Sequence, residues 1–117
     1  MTLQEQQFLF AQDVAKLIQY VAKLGYWVTF GEAYRTKEQA QLDADKGIGI
    51  VKSLHCERLA VDLNLYKDGV YLFKSKDYYF LGKYWESLDK QNKSGCWFYD
   101  EKGKPKPDGN HVERKLL

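Results

Sequence analysis

The chain has 117 residues, of which 44% are hydrophobic, 15% aromatic and 29% charged, with a formal net charge of +2. That is enough for one domain with a real core, and it excludes a disordered tail or a low-complexity linker. No apolar run approaches the ~20 residues of a bilayer span, so no membrane insertion is expected. The first residues lack a signal-peptide pattern, and the mild charge without Lys/Arg clusters argues against a nucleic-acid partner.

Thr2 followed by Glu5 predicts a capping box at the start of a first helix. Phe10, Val14, Leu17, Val21 and Leu24, with Ala11 and Ile18 beside them, form one apolar stripe, and Gly25 ends it. Tyr26 to Tyr34 is rich in aromatic and β-branched residues and predicts a strand. Thr36 and Gln39 repeat the capping pattern, so a second helix is expected from there to about Gly47. Leu59 to Leu65 predicts a strand with Val61, Leu63 and Leu65 on one face and Ala60, Asp62 and Asn64 on the other. Lys67-Asp68-Gly69 signals a hairpin turn, returning through Val70-Tyr71-Leu72. Tyr78 to Leu88 carries Tyr78, Leu81, Trp85 and Leu88 at helical spacing. Gln91 to Gly109, rich in Gly and Pro, predicts a long surface loop, and His111-Val112-Glu113 a short final strand. Helices and hairpin-linked strands without a βαβ repeat make the class α+β, a single compact domain with a small antiparallel sheet flanked by helices.

The two histidines, His55 and His111, are where chemistry is expected. Asp62 sits inside an apolar strand, where an ionised carboxylate is costly unless paired or bound to a metal. A loop feeding that strand can bring His55 to it, and His111 can complete the three protein ligands of an open zinc site. The plainer alternative pairs Asp62 with a lysine or arginine and leaves both histidines ordinary. Asp108, three positions before His111, could serve as general base, or Pro107-Asp108-Gly109 could simply be a turn. Arg35, between a strand and a helix cap, could hold a substrate carboxylate or a developing oxyanion, or be a solvated strand end. A closed zinc site from Cys56, Cys96, His55 and His111 is a rival, made awkward by the adjacent positions 55 and 56. A nucleophilic dyad of Cys56 or Cys96 with a histidine has no local support. The two cysteines are expected to be reduced thiols rather than a bridge.

Together these segments resemble the zinc-dependent D-Ala-D-Ala carboxypeptidase and L-alanyl-D-glutamate endopeptidase family (VanY-like), which includes bacteriophage endolysins. The carriers are Ser53-Leu54-His55 through Ala60-Val61-Asp62, Asp108-Gly109-Asn110-His111 near the C-terminus, and Arg35-Thr36 with Gln39 upstream. The resemblance spans about Tyr26 to Glu113, and the order of its three segments agrees with the family. One departure is Arg58, where family members usually carry glycine; either the turn differs or Arg58 reaches toward the cleft.

The resemblance implies a Hedgehog/DD-peptidase-like fold and one zinc ion per chain held by His55, Asp62 and His111. It implies Asp108 as general base, Arg35 as a catalytic and substrate-binding group, and Ser53 and Gln39 as further substrate contacts. Among aromatic residues, Trp97 and Tyr99 are candidates for the cleft wall, while Trp85 fits the core better. The implied substrate is the stem peptide of bacterial peptidoglycan, cut by residues 1–117 as one catalytic domain without a separate wall-binding domain. L-alanyl-D-glutamate endopeptidase activity of a phage or prophage endolysin leads. A D-Ala-D-Ala carboxypeptidase, or a non-catalytic binding domain on the same fold, is the alternative, and a small interaction domain without metal comes third. A monomer made in the cytoplasm is expected, reaching the wall through a separate membrane pore.

Overall fold

Thr2 begins the first helix as its sequence requires. Its hydroxyl accepts the Glu5 N–H at 3.1 Å while the Glu5 carboxylate returns to the Thr2 N–H, so two otherwise orphaned donors at the helix start are satisfied. The computed structural model describes residues 1–47 and 53–117. In it α1 runs Leu3–Lys23 and buries Phe10, Leu17 and Val21, with Val14 and Ile18 packed beside them. Leu24 and Ala11, expected on the same stripe, are exposed, because the helix has ended at Lys23 and Ala11 lies to one side of the buried face. Gly25 follows with φ +88°, a left-handed turn that glycine makes without strain.

Strand β1 is Trp27–Phe30, shorter than the expected 26–34. At Gly31 the chain leaves the regular ladder while still donating to the Asp62 carbonyl at 2.7 Å, and a Cβ there would meet the Asp62 Cβ at 3.0 Å. Helix α2 is Lys37–Asp45, opened by Thr36, whose hydroxyl accepts the Gln39 N–H. Strand β2, Ala60–Lys67, turns through Asp68 and Gly69, both at positive φ, into β3, Val70–Leu72. Two positive φ values in a two-residue loop give the hairpin twist that suits paired strands, and Asp-Gly supplies them at little cost. Helix α3 is Tyr79–Leu88, preceded by a 3₁₀ turn at Ser75–Tyr78.

The stretch expected as one long loop holds more structure than its composition suggests. Strand β4, Asn92–Ser94, and a 3₁₀ turn, Gly95–Trp97, lie within it. Asn-Lys-Ser has no hydrophobic alternation. It pairs because Asn92 donates to Asp13 at 3.1 Å and to the Trp85 carbonyl at 3.0 Å, and the Glu86 carboxylate accepts the Ser94 N–H at 2.8 Å. Strand β5 is His111–Arg114.

All pairings are antiparallel. β2 is central: β1 lies along one edge, β5 and β3 share the other, and β4 lies beyond β5. Val61, Leu63 and Leu65 of β2 and Val112 of β5 face a core made with Phe10, Leu17 and Val21 of α1 and Leu81 and Trp85 of α3. Asp62, Asn64, His111 and Glu113 are the alternate positions and fall on the opposite face. The α+β expectation holds: a small antiparallel sheet with helices against it. No helix of the described residues is long and apolar enough to cross a membrane.

Candidate metal centre

His55 sits in a 3₁₀ turn, Leu54–Glu57, that delivers the chain into β2. Ser53 caps this turn, its hydroxyl accepting the His55 N–H at 3.2 Å. Arg58 ends it at φ 57°, the left-handed backbone that glycine adopts most freely. The departure at Arg58 therefore leaves the turn glycine-like in shape. Its guanidinium lies 4.0 Å from the centre of the Tyr34 ring, beside an apolar pocket lined by Phe10, Phe30 and Val61.

Asp62 is directly opposite His111 in the β2–β5 pairing, which brings residues 49 positions apart to one point. The approach to His111 is fixed by a tight turn. The His111 N–H donates to the Asp108 carbonyl at 3.0 Å, Asp108 N–H to the Gly95 carbonyl at 2.8 Å, and Gly109 N–H to the Ser75 hydroxyl at 3.1 Å.

His55 Nε2 lies 3.4 Å and His111 Nδ1 3.2 Å from the same oxygen, Asp62 Oδ1. One ligand atom from each of the three residues falls within 4.8 Å of the others. Both histidines are buried and Asp62 is half-buried. Burial pushes Asp62 toward the neutral form, but hydrogen bonds from His111 and His55 overcome it and hold the carboxyl at about 2. Burial pulls His111 down, and hydrogen bonds to Asp62 and Glu113 more than reverse it, lifting the ring to about 9. Burial raises the Asp108 carboxyl above its ordinary range; His111 opposes that shift and Asp62 adds to it, so Asp108 shares the electrostatics of the cluster.

Two imidazoles and one carboxylate are a donor set suited to zinc, which takes His nitrogen and Asp oxygen and keeps a fourth position open when catalytic. His55 Nδ1 is buried with no hydrogen-bond partner, the Glu32 carboxylate standing 3.8 Å away. The residues present thus fit the metal. Neither cysteine joins this group: Cys56 and Cys96 are free thiols, Cys96 pointing at the Ser75 and Gly109 carbonyls, so the closed Cys/His site is not assembled.

The remaining candidates divide. Arg35 donates its side chain to Glu32, whose carboxylate lies 3.8 Å from His55 Nδ1, and the Arg35 N–H bonds the His55 carbonyl at 3.3 Å. Arg35 is therefore tied to the His55 turn. Ser53 is buried and spends its hydroxyl on the cap. Gln39 donates to Asp43 within α2 at 2.7 Å. Trp97 stacks on Tyr79 at 5.7 Å, Tyr99 is exposed, and Trp85 is fully buried in the core. Phe98, next to Trp97, is the aromatic ring against His111, at 5.4 Å.

Glu32, Phe98 and Glu113 were not singled out from sequence. Glu113 is 2.7 Å from His111 Nε2. Its signal was present, an acidic residue two positions after a candidate ligand on one strand face. Glu32 and Phe98 come from irregular segments and had none.

No protein-family model matches the chain, and no curated protein matches it by sequence. Solved structures do. The Serratia marcescens L-Ala D-Glu endopeptidase ChiX superposes with a TM-score of 0.67 at 15% identity, covering 89% of this chain and 79% of its own. The vancomycin-resistance D,D-pentapeptidase VanY from a VanB-type cassette, as its E175A mutant with Zn(II), gives a TM-score of 0.62 at 18% identity, covering 90% and 70%. The fold implied by the motif resemblance is the fold observed.

Proposed function

We propose that this chain is a zinc-dependent peptidase that hydrolyses the stem peptides of bacterial peptidoglycan. The observation that carries the reading is the convergence of His55, Asp62 and His111 on one point at the sheet surface. The fold likeness to two peptidases, one with Zn(II) in its structure, supports it.

His55, Asp62 and His111 would hold the ion. The chemistry zinc supplies when bound is Lewis-acid polarisation of a carbonyl and acidification of water to a pKa of about 7. Asp108 takes the proton of the attacking water as general base, a role favoured by its raised affinity for a proton. Arg35, charged and pre-ordered by Glu32, meets the substrate carboxylate or the oxyanion that develops as the carbonyl is attacked. Gln39 has one amide N–H engaged by Asp43 and Trp97 one face engaged by Tyr79, while Phe98 already flanks His111.

L-alanyl-D-glutamate endopeptidase activity is the finer assignment, in keeping with the likeness to ChiX. The role of phage or prophage endolysin rests on the motif resemblance, as does passage to the wall through a separate pore. The D-Ala-D-Ala carboxypeptidase reading is the second, in keeping with the likeness to VanY. Arg58 takes the left-handed backbone that glycine favours, which is in keeping with a His55 turn shaped as in the family.

Elemental analysis of tag-free protein beside a His55→Ala control tests the centre. About one zinc per chain, lost in the control, is expected. Peptidoglycan digests with and without chelator then identify the bond, and a chain that takes up no zinc at neutral pH is not this enzyme.

A further inference from the structure

We propose that Glu113 is a positioning residue of the metal centre, its carboxylate holding the His111 ring so that Nε2 keeps a proton and Nδ1 faces the metal. This rests on the zinc reading above and adds a residue that neither the motifs nor the three-ligand group contains. A neutral imidazole carries one proton and one lone pair. A ring that gives its lone pair to a metal needs an acceptor for the N–H on its far side, and that acceptor selects the tautomer. An ionised carboxylate only accepts.

The geometry is specific. Glu113 Oε1 lies 2.7 Å from His111 Nε2, while Nδ1 on the other side of the ring lies 3.2 Å from Asp62 Oδ1. Alternation along β5 puts residues 111 and 113 on one face, and the residue opposite Glu113 on β2 is Ala60, a small side chain. The Glu113 backbone is itself anchored, since the fully buried Trp85 donates its indole N–H to the Glu113 carbonyl at 3.0 Å.

The Glu113 side chain is 14% exposed, and Lys93, its neighbour across the β4–β5 pairing, makes no ion pair with it, so the contact its carboxylate makes is with the ring. His55 has no equivalent. Its Nδ1 stands 3.8 Å from Glu32, whose carboxylate already receives Arg35. Orientation by a carboxylate is built at one histidine of the two.

The test is zinc affinity of the full chain by chelator competition, in wild type, Glu113→Leu, Glu113→Gln and the exposed control Glu101→Gln. Loss of such an outer partner weakens metal binding by about 10- to 100-fold, so that range is expected for Glu113→Leu. A several-fold loss is expected for Glu113→Gln, which keeps an acceptor without the charge, and none for Glu101→Gln. Imidazole ¹⁵N spectra of the zinc-loaded protein add a readout that a purely structural role would not move. In wild type the His111 Nε2 proton is expected to be hydrogen-bonded and slow to exchange, and in Glu113→Gln to exchange faster. Should Glu113→Leu fail to fold, Glu113→Gln carries both measurements. Wild-type affinity and an unchanged Nε2 signal in Glu113→Gln would overturn the proposal while leaving the centre intact; absence of zinc binding by wild type would overturn the centre itself.

Discussion

Asp108 is held beside the cluster by its backbone, through Gly95 and His111, so its side chain can be altered without moving the turn. Asp108→Asn is expected to lower turnover by about 10²- to 10⁴-fold while leaving zinc content unchanged; kinetics beside elemental analysis check both halves. The ionisation of the cluster gives a second expectation. In the metal-free chain His111 is lifted from 6.5 to about 9, so its contribution to stability is complete below pH 6.5 and is lost as the pH rises through about 9. Asp62, depressed from 3.8 to about 2, contributes above 3.8 and loses this as the pH falls through about 2. Metal-free melting temperature should therefore decline between pH 6.5 and 9, whereas zinc, which must displace the His111 proton, should bind more tightly across that same interval. A flat melting profile in chelator would contradict the assignment. At Arg58 the two small substitutions should differ: alanine keeps the left-handed strain and loses the Tyr34 stack, while glycine loses the stack but relieves the strain. Urea denaturation is expected to find Arg58→Gly more stable than Arg58→Ala by about 1 kcal/mol.

Among the elements, the 3₁₀ turn at Gly95–Trp97 does the least visible work and bears closely on the site. A Cβ on Gly95 would stand 2.0 Å from the Asp108 carbonyl oxygen and 3.0 Å from the His111 Cβ. Gly95→Ala must push back the backbone that carries Asp108, the proposed base, and should cost about 1–3 kcal/mol together with a loss of activity larger than the loss of stability explains; denaturation and kinetics on one preparation separate the two. The strand that leads into this turn, β4, was hidden in the sequence, and the reason is physical. β4 is three polar residues whose pairing is supported by Asp13, 79 positions from Asn92, and by Glu86 of α3, partners that no periodicity announces. α1, the β2–β3 hairpin and α3 were legible because stripe, cap and Asp-Gly turn are local signals, each consistent with its neighbours. Asp62 stood out as a carboxylate inside an apolar strand, and His55 and His111 as the two histidines of the chain. Glu113 needed the β5 face, and Phe98 in place of Trp97 needed the path of an irregular loop.

For the whole molecule the metal should act as a structural ligand as well as a reactive one. It would bind residues from the 3₁₀ turn before β2, from β2 and from β5, and so tie the first half of the chain to the last strand. Zinc at a thousandfold excess over its dissociation constant would add about 4 kcal/mol. A rise in melting temperature on the order of 10 °C over chelated protein is the expected result for a domain of this size, and calorimetry with and without zinc measures it. The separation of 49 positions from Asp62 to His111 has one more consequence. During synthesis the ligands emerge in order, and the third arrives only after β3, α3, β4 and the Gly95 turn have been made. Until β5 docks beside β2, a growing chain holds an imidazole and a carboxylate but no centre. On the zinc reading, the capacity to hold the ion thus arrives with β5 and not with the first two ligands.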